Sequence, residues 1–150
     1  MSLTVTPATL ADIPALRRLL DILFTQEAEF KPDPATQQRG LESIISQPHV
    51  GQILVARMGG AEVGMVNLLY TVSTALGGRV ALLEDMVVAP EARGSGVGAQ
   101  LLTRAIEVAK ASGCLRITLL TDGVNEAAQR FYQRQGFVAS PMVPLRLLLA

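Results

Sequence analysis

Hydrophobic and polar positions change period several times along this chain, and each change marks an element. Leu3 to Thr6 alternates and predicts a short strand. From there Ile13, Leu16, Leu19, Leu20 and Leu23 recur at helical spacing, with Arg17, Arg18 and Asp21 turned away. Asp12 is the predicted cap of that helix, and Pro14 sits in its first turn, where a missing N–H is harmless. Asp33-Pro34 repeats the signal for a second helix, which buries Leu41, Ile44 and Ile45 and stops before Pro48. Gln52 to Arg57 and Glu62 to Tyr70 flank a glycine-containing turn and predict a hairpin. Gly77-Gly78 leads into a third strand, Arg79 to Val88. A helix with Leu101, Leu102, Ala105, Ile106 and Ala109 inward follows, then a strand over Leu115 to Thr121 and a helix opened by Asn125. Phe137 to Ala139 and Leu145 to Leu149 close the chain as predicted strands. The order is that of an α/β sandwich around a mixed sheet, with residues 1–150 as one domain.

Composition narrows the class. Lys and Arg number 13 against 13 Asp and Glu, with no basic run, so binding nucleic acid through a basic surface is not expected. No apolar run reaches the ~18 residues of a membrane span. MSLTVTPATL has neither a basic n-region nor an apolar h-region, so a soluble, cytoplasmic protein is the expectation. Cys114 is alone and His49 follows Pro48 without neighbouring ligands, so no metal site is expected. Cys114 reads as a small buried hydrophobe.

The chemistry concentrates between Glu84 and Leu102, EDMVVAPEARGSGVGAQLL. A strand and a short turn lead to Arg93 and to Gly94, Gly96 and Gly98 at the start of a helix. A helix start leaves backbone N–H groups without intrahelical partners and carries the positive end of the helix dipole. Glycine lets a polyphosphate lie against those donors, and a guanidinium suits phosphate oxygens. A Walker-type loop is excluded, because Ala99 and Gln100 stand where Lys and Ser or Thr are needed. A dinucleotide fingerprint fits in outline, with Asp122 about 20 residues on, but it lies too far from the amino terminus and leaves room for one more βα unit.

A third reading fits every fixed position. Arg93-Gly94-Ser95-Gly96-Val97-Gly98 matches the Q/R-x-x-G-x-G/A phosphate motif of the GNAT acetyltransferases, and NEAAQRFYQRQGF, residues 125–137, resembles their N-x-x-A-x-x-F/L-Y-x-x-x-G-F motif. A dinucleotide domain gives no reason for the second. The resemblance is strong over about residues 79–140 and an outline before that. It implies a mostly antiparallel central sheet with helices on both faces, and transfer of an acetyl group from acetyl-coenzyme A to a primary amine. On it, Met86, Val87, Val88, Arg93, Gly94, Ser95, Gly96, Val97, Gly98, Ala99, Asn125, Ala128 and Phe131 are the expected coenzyme contacts. Those on the strand act through backbone, and Asn125 both caps its helix and touches the pantetheine arm.

Amines near pKa 10 are mostly protonated at neutral pH, so transfer needs a base, an oxyanion site and a proton for the departing thiolate. The resemblance gives Glu84 the base's part. Strand alternation puts Glu84 on an apolar face with Val80, Leu82, Met86 and Val88, where desolvation would raise its pKa; a solvent-facing carboxylate is the alternative. Asp85 points to the opposite face unless a bulge intervenes. Tyr132 is the expected acid, with a core aromatic as the alternative. Phe24, Glu27 and Asp85 are expected at the acceptor site, with Glu29 and Phe30 nearby. A small-molecule amine is the favoured acceptor. A peptide or protein amine, and a non-catalytic acetyl-coenzyme A sensor, stand as alternatives. The apolar carboxy-terminal run completes its own sheet or pairs across a homodimer.

Overall fold

The computed structural model describes residues 2–26 and 31–150, and the chain divides into two compact units, residues 1–120 and 121–150. In the first unit, β1 (Leu3–Pro7) precedes α1 (Ile13–Gln26) and α2 (Pro34–Ile45). β2 (Gly51–Met58), β3 (Ala61–Ser73) and β4 (Gly78–Val88) follow, then α3 (Val97–Ala111) and β5 (Ile117–Leu119). The sheet order is β1-β2-β3-β4-β5, antiparallel throughout except where α3 carries the chain from β4 to a parallel β5. The mixed, mostly antiparallel sheet expected from the resemblance is the one observed.

Alternation along the strands divides the core between two helical layers. Ile53, Val55, Met65 and Val87 pack with Leu16, Leu19, Leu20 and Leu41 of α1 and α2. The other face approaches α3: a Cβ on Gly64 would meet Leu101 and Val97 at 3.3 and 3.5 Å. Burying each such Leu or Val contributes about 1.5–3 kcal/mol. Helices thus cover both faces.

Asp33 caps α2, accepting from the Thr36 N–H with Pro34 behind it, as its sequence predicts. Leu41 is buried there, while Ile44 and Ile45 are only partly covered. The cap of α1 lies elsewhere than expected. A 3-10 turn, Leu10–Asp12, precedes the helix with Thr9 as its cap, and the Asp12 carboxylate reaches back to the Thr9 N–H at 2.8 Å. Asp12 has a stronger reason to sit inside the turn than to begin it, because Arg57 of β2 pairs with its carboxylate.

The second unit holds α4 (Glu126–Arg134), with the Asn125 side chain accepting from the Ala128 N–H at 3.0 Å. Beyond Gly136, at φ +103°, no regular element follows. The strands expected over Phe137–Ala139 and Leu145–Leu149 are absent. Neither segment pairs with a strand among the described residues, and Leu145, Leu147, Leu148 and Leu149 are each at least 80% exposed, so no buried face fixes a register there.

Candidate active site

The glycine-led turn after β4 is built by two residues in the left-handed region. Gly94 has φ +79° and Gly96, the N-cap of α3, has φ +82°. No side chain caps this helix; its first intrahelical bond runs from the Gln100 N–H to the Gly96 carbonyl. The N–H groups of Val97, Gly98 and Ala99 stand ahead of that ladder. A Cβ on Gly94 or Gly96 would have nothing within 4 Å, so the glycines serve backbone conformation and open space rather than tight packing within the protein. Successive amides in such turns form an anion-binding concavity, reinforced here by a helix N-terminus. Arg93 is exposed, and its Nε donates to the Val88 carbonyl at 3.1 Å, tying the cation to the end of β4. The Ser95 hydroxyl donates to the Ala92 carbonyl and closes the turn. Residues 93–99 therefore present donors and a positive charge around an unobstructed surface, which fits a diphosphate.

β4 supplies a second feature. Its pairing with β5 ends at Leu83, opposite Leu119, yet the strand continues to Val88. From Glu84 to Val88 that side of β4 has no strand partner among the described residues, and an amide chain can add along such an edge.

A bulge shapes this stretch. Met65 faces Val87 and Asn67 faces Glu84, so Val66 alone opposes both Asp85 and Met86. Asp85 has φ +53°, the one positive value among described non-glycine residues. The inserted residue breaks the expected alternation. Glu84 keeps Val80 and Leu82 as companions, but Val87 takes the place foreseen for Val88, which lies opposite Gly64 on the α3 face. Glu84 is also exposed, so the apolar face expected around it does not enclose it.

The same bulge turns Asp85 to Asn67, whose amide donates to the Asp85 carboxylate. Asn67 is 3% exposed, and its Oδ1 has no partner among the described residues. Gln37 of α2 repeats the arrangement: it is 7% exposed, its Nε2 donates to Asp21, and its Oε1 has no partner among the described residues. Both residues line a cavity of about 280 Å³ whose walls include Leu20, Phe24, Leu41 and Asp85. An unsatisfied buried oxygen costs about 1–3 kcal/mol, so two in one cavity call for a donor. Neither was foreseen from sequence. The available signal was a polar residue on an otherwise apolar face: Asn67 between Met65 and Leu69 along one face of its strand, and Gln37 one turn before Leu41. Phe24 and Asp85, expected at the acceptor site, do line this cavity; Glu27, Glu29 and Phe30 lie outside the described residues.

In the second unit, Ala128, Phe131 and Tyr132 share the less exposed face of α4. Tyr132 packs edge-on against Phe131 and Phe137, with centroids 5.2 and 5.8 Å away, and Phe137 donates its N–H to the Tyr132 carbonyl. Burial pushes the Tyr132 phenol above its ordinary value, because a phenolate would be desolvated. Burial likewise raises the Cys114 thiol, partly offset by Arg79.

Comparison with known proteins gives the family. Residues 13–137 match the Acetyltransferase (GNAT) family. An uncharacterized N-acetyltransferase of Bacillus subtilis, YhfO, is 32% identical over 118 residues, covering 77% of this chain and 78% of that one. The aminoalkylphosphonate N-acetyltransferase of Salmonella typhimurium is 29% identical over 133 residues, covering 89% and 83%. A crystal structure from Bacillus halodurans, described as a transcriptional regulator, superimposes with a TM-score of 0.84 at 32% identity over 99% of this chain and 100% of that one. A match that begins at α1 and ends just past Gly136 takes in the glycine turn, the β4 edge and α4: the chain belongs to the GNAT acetyltransferase family and is an N-acetyltransferase.

Proposed function

We propose that this enzyme transfers the acetyl group of acetyl-coenzyme A to the primary amine of a small molecule by direct attack. The observation that carries the reading is the pair of left-handed glycines opening α3 beside the stretch of β4 that has no strand partner among the described residues. In this reading the diphosphate is held by the amides of Gly94 to Ala99, with Arg93 adding charge. The amide groups of the pantetheine arm pair with the backbone of Met86, Val87 and Val88, and the Asn125 side chain adds a polar contact. A β4 amide also faces the thioester oxygen, where it stabilises the oxyanion as it forms.

Glu84 is the proposed base. Its exposure supports transfer through an intervening water, since a carboxylate open to solvent reaches the amine proton by a hydrogen-bonded relay. Tyr132 is the proposed acid for the departing thiolate, and its raised pKa keeps the phenol protonated and able to donate. A small acceptor is favoured by the size of the cavity under α1 and α2 and by the aminoalkylphosphonate named for one relative. In a coupled thiol-release assay across amines and peptides, turnover confined to small amines supports the proposal. Acetylation of peptides alone overturns the small-molecule acceptor. Glu84→Gln and Tyr132→Phe each lowering kcat supports their roles; coenzyme binding with no rate altered by either substitution removes both residues from the chemistry.

A further inference from the structure

The cavity between α1, α2 and the β4 bulge is equipped for a cation. Its lining carries acceptors: the buried Asn67 Oδ1 and Gln37 Oε1, and the half-buried Asp85 carboxylate. The orientation of both amides is fixed by carboxylates. Asn67 must turn its NH2 to Asp85 and Gln37 must turn its NH2 to Asp21, so each leaves an oxygen with no donor among the described residues. Lys31 and Asp33, also on the lining, are exposed at the rim, and Asp33 is already engaged with Thr36. Leu20, Phe24, Leu41 and Ile44 supply an apolar wall beside these acceptors. A group with several N–H donors, a positive charge and a methylene stem matches that lining. An alkylammonium has all three.

The same chemistry decides which nitrogen of a substrate sits there. A nucleophilic amine must lose its proton, whereas a carboxylate and two carbonyl oxygens favour the protonated form. Building on the acyl-transfer reading above, we infer that this cavity seats a second, non-reacting ammonium group, so that the acceptor is a diamine whose other nitrogen is acetylated. Asn67 and Gln37 are then binding residues that set specificity. The reacting nitrogen lies outside the seat, in reach of the acyl donor as the neutral amine.

The experiment compares diaminobutane with butylamine, which share a stem and differ in the second nitrogen. Wild-type enzyme is expected to show kcat/KM for diaminobutane about 10- to 100-fold above that for butylamine, the range of one or two hydrogen bonds to a charged group. In Asn67→Leu and in Gln37→Met the ratio should fall toward one. Gln37→Met leaves the bulge untouched and remains informative if Asn67→Leu does not fold. A wild-type ratio near one, or a ratio unmoved by Gln37→Met, overturns the inference. Calorimetric titration of both amines separates it from the acyl-transfer reading. Tighter binding of diaminobutane that Gln37→Met abolishes supports the seat even where no acetyl transfer to either amine is seen. Equal affinities overturn it.

Discussion

Asn67 on β3 donates its buried amide to Asp85 on β4, at the point where β4 bulges and Asp85 is held at φ +53°. A positive φ in a residue other than glycine costs about 1–3 kcal/mol and persists where the surroundings fix it. Asp85→Ala keeps that strain and removes the acceptor for a buried amide, so it should destabilise the protein by about 1–3 kcal/mol. Asp85→Gly relieves the strain and should be less damaging. Urea unfolding of the two variants checks the order; equal losses would mean that the backbone conformation carries no strain.

Gly96→Val should weaken acetyl-coenzyme A binding by about 10-fold or more, the worth of at least one charge-assisted hydrogen bond. Nothing stands within 4 Å of the new Cβ, so the folded protein meets no clash. A valine at φ +82° is nonetheless strained, by about 1–2 kcal/mol, so a modest fall in Tm accompanies the binding loss. Arg93→Ala should weaken binding more at low salt than at high salt, because exposed charges are screened. Titration at two ionic strengths checks both variants. Unchanged affinity for Arg93→Ala at low salt removes that residue from the site.

These two sites were unequally legible in the sequence. The glycine turn, the Asp33 and Asn125 caps and the hairpin were readable because proline, glycine and short polar side chains act on their own backbone. The bulge was foreseen only as a condition on Asp85 and could not be read, because one inserted residue changes every facing after it without altering composition; it moved Val88 off the Glu84 face. The amide NH2 groups of Gln37 and Asn67 are held by carboxylates 16 and 18 residues away, a dependence beyond any local pattern. Asp12 misled for a related reason: a carboxylate near a helix start serves equally as cap or as the partner of a cap, and Arg57 decides between them. The closing strands failed because an apolar run is not a strand without a partner: Leu145 to Leu149 stay exposed and pair with no strand among the described residues.

Acid stability should carry the mark of Asp12. Burial works to raise its pKa, but the Thr9 N–H and the charge and hydrogen bond of Arg57 together outweigh it and hold the carboxyl below its ordinary 3.8. A depressed carboxylate contributes stability that is complete above the unfolded-state value and is lost as pH falls through the lower native value. Asp12→Asn should therefore cost about 1–3 kcal/mol near neutral pH. That difference should shrink once the pH is below the native value of Asp12. Urea unfolding of both proteins across the acid range measures it, and a pH-independent difference would contradict this linkage.

Tyr132 as acid makes a prediction about the alkaline limb of kcat. A phenol raised by burial above 10.0 stays protonated through neutral and mildly alkaline pH, so no fall in kcat from its ionisation should appear below that value. Tyr132→Phe should lower kcat by about 100-fold or more throughout that range. A wild-type limb near neutrality that vanishes in Tyr132→Phe would contradict the raised pKa.

The most direct measurement is a crystal structure of the protein with acetyl-coenzyme A. The diphosphate should lie against the main-chain N–H groups between Gly94 and Ala99, with the pantetheine arm alongside β4 from Glu84 to Val88. A diphosphate bound away from that turn, or an arm that leaves this edge of β4 bare, would contradict the account.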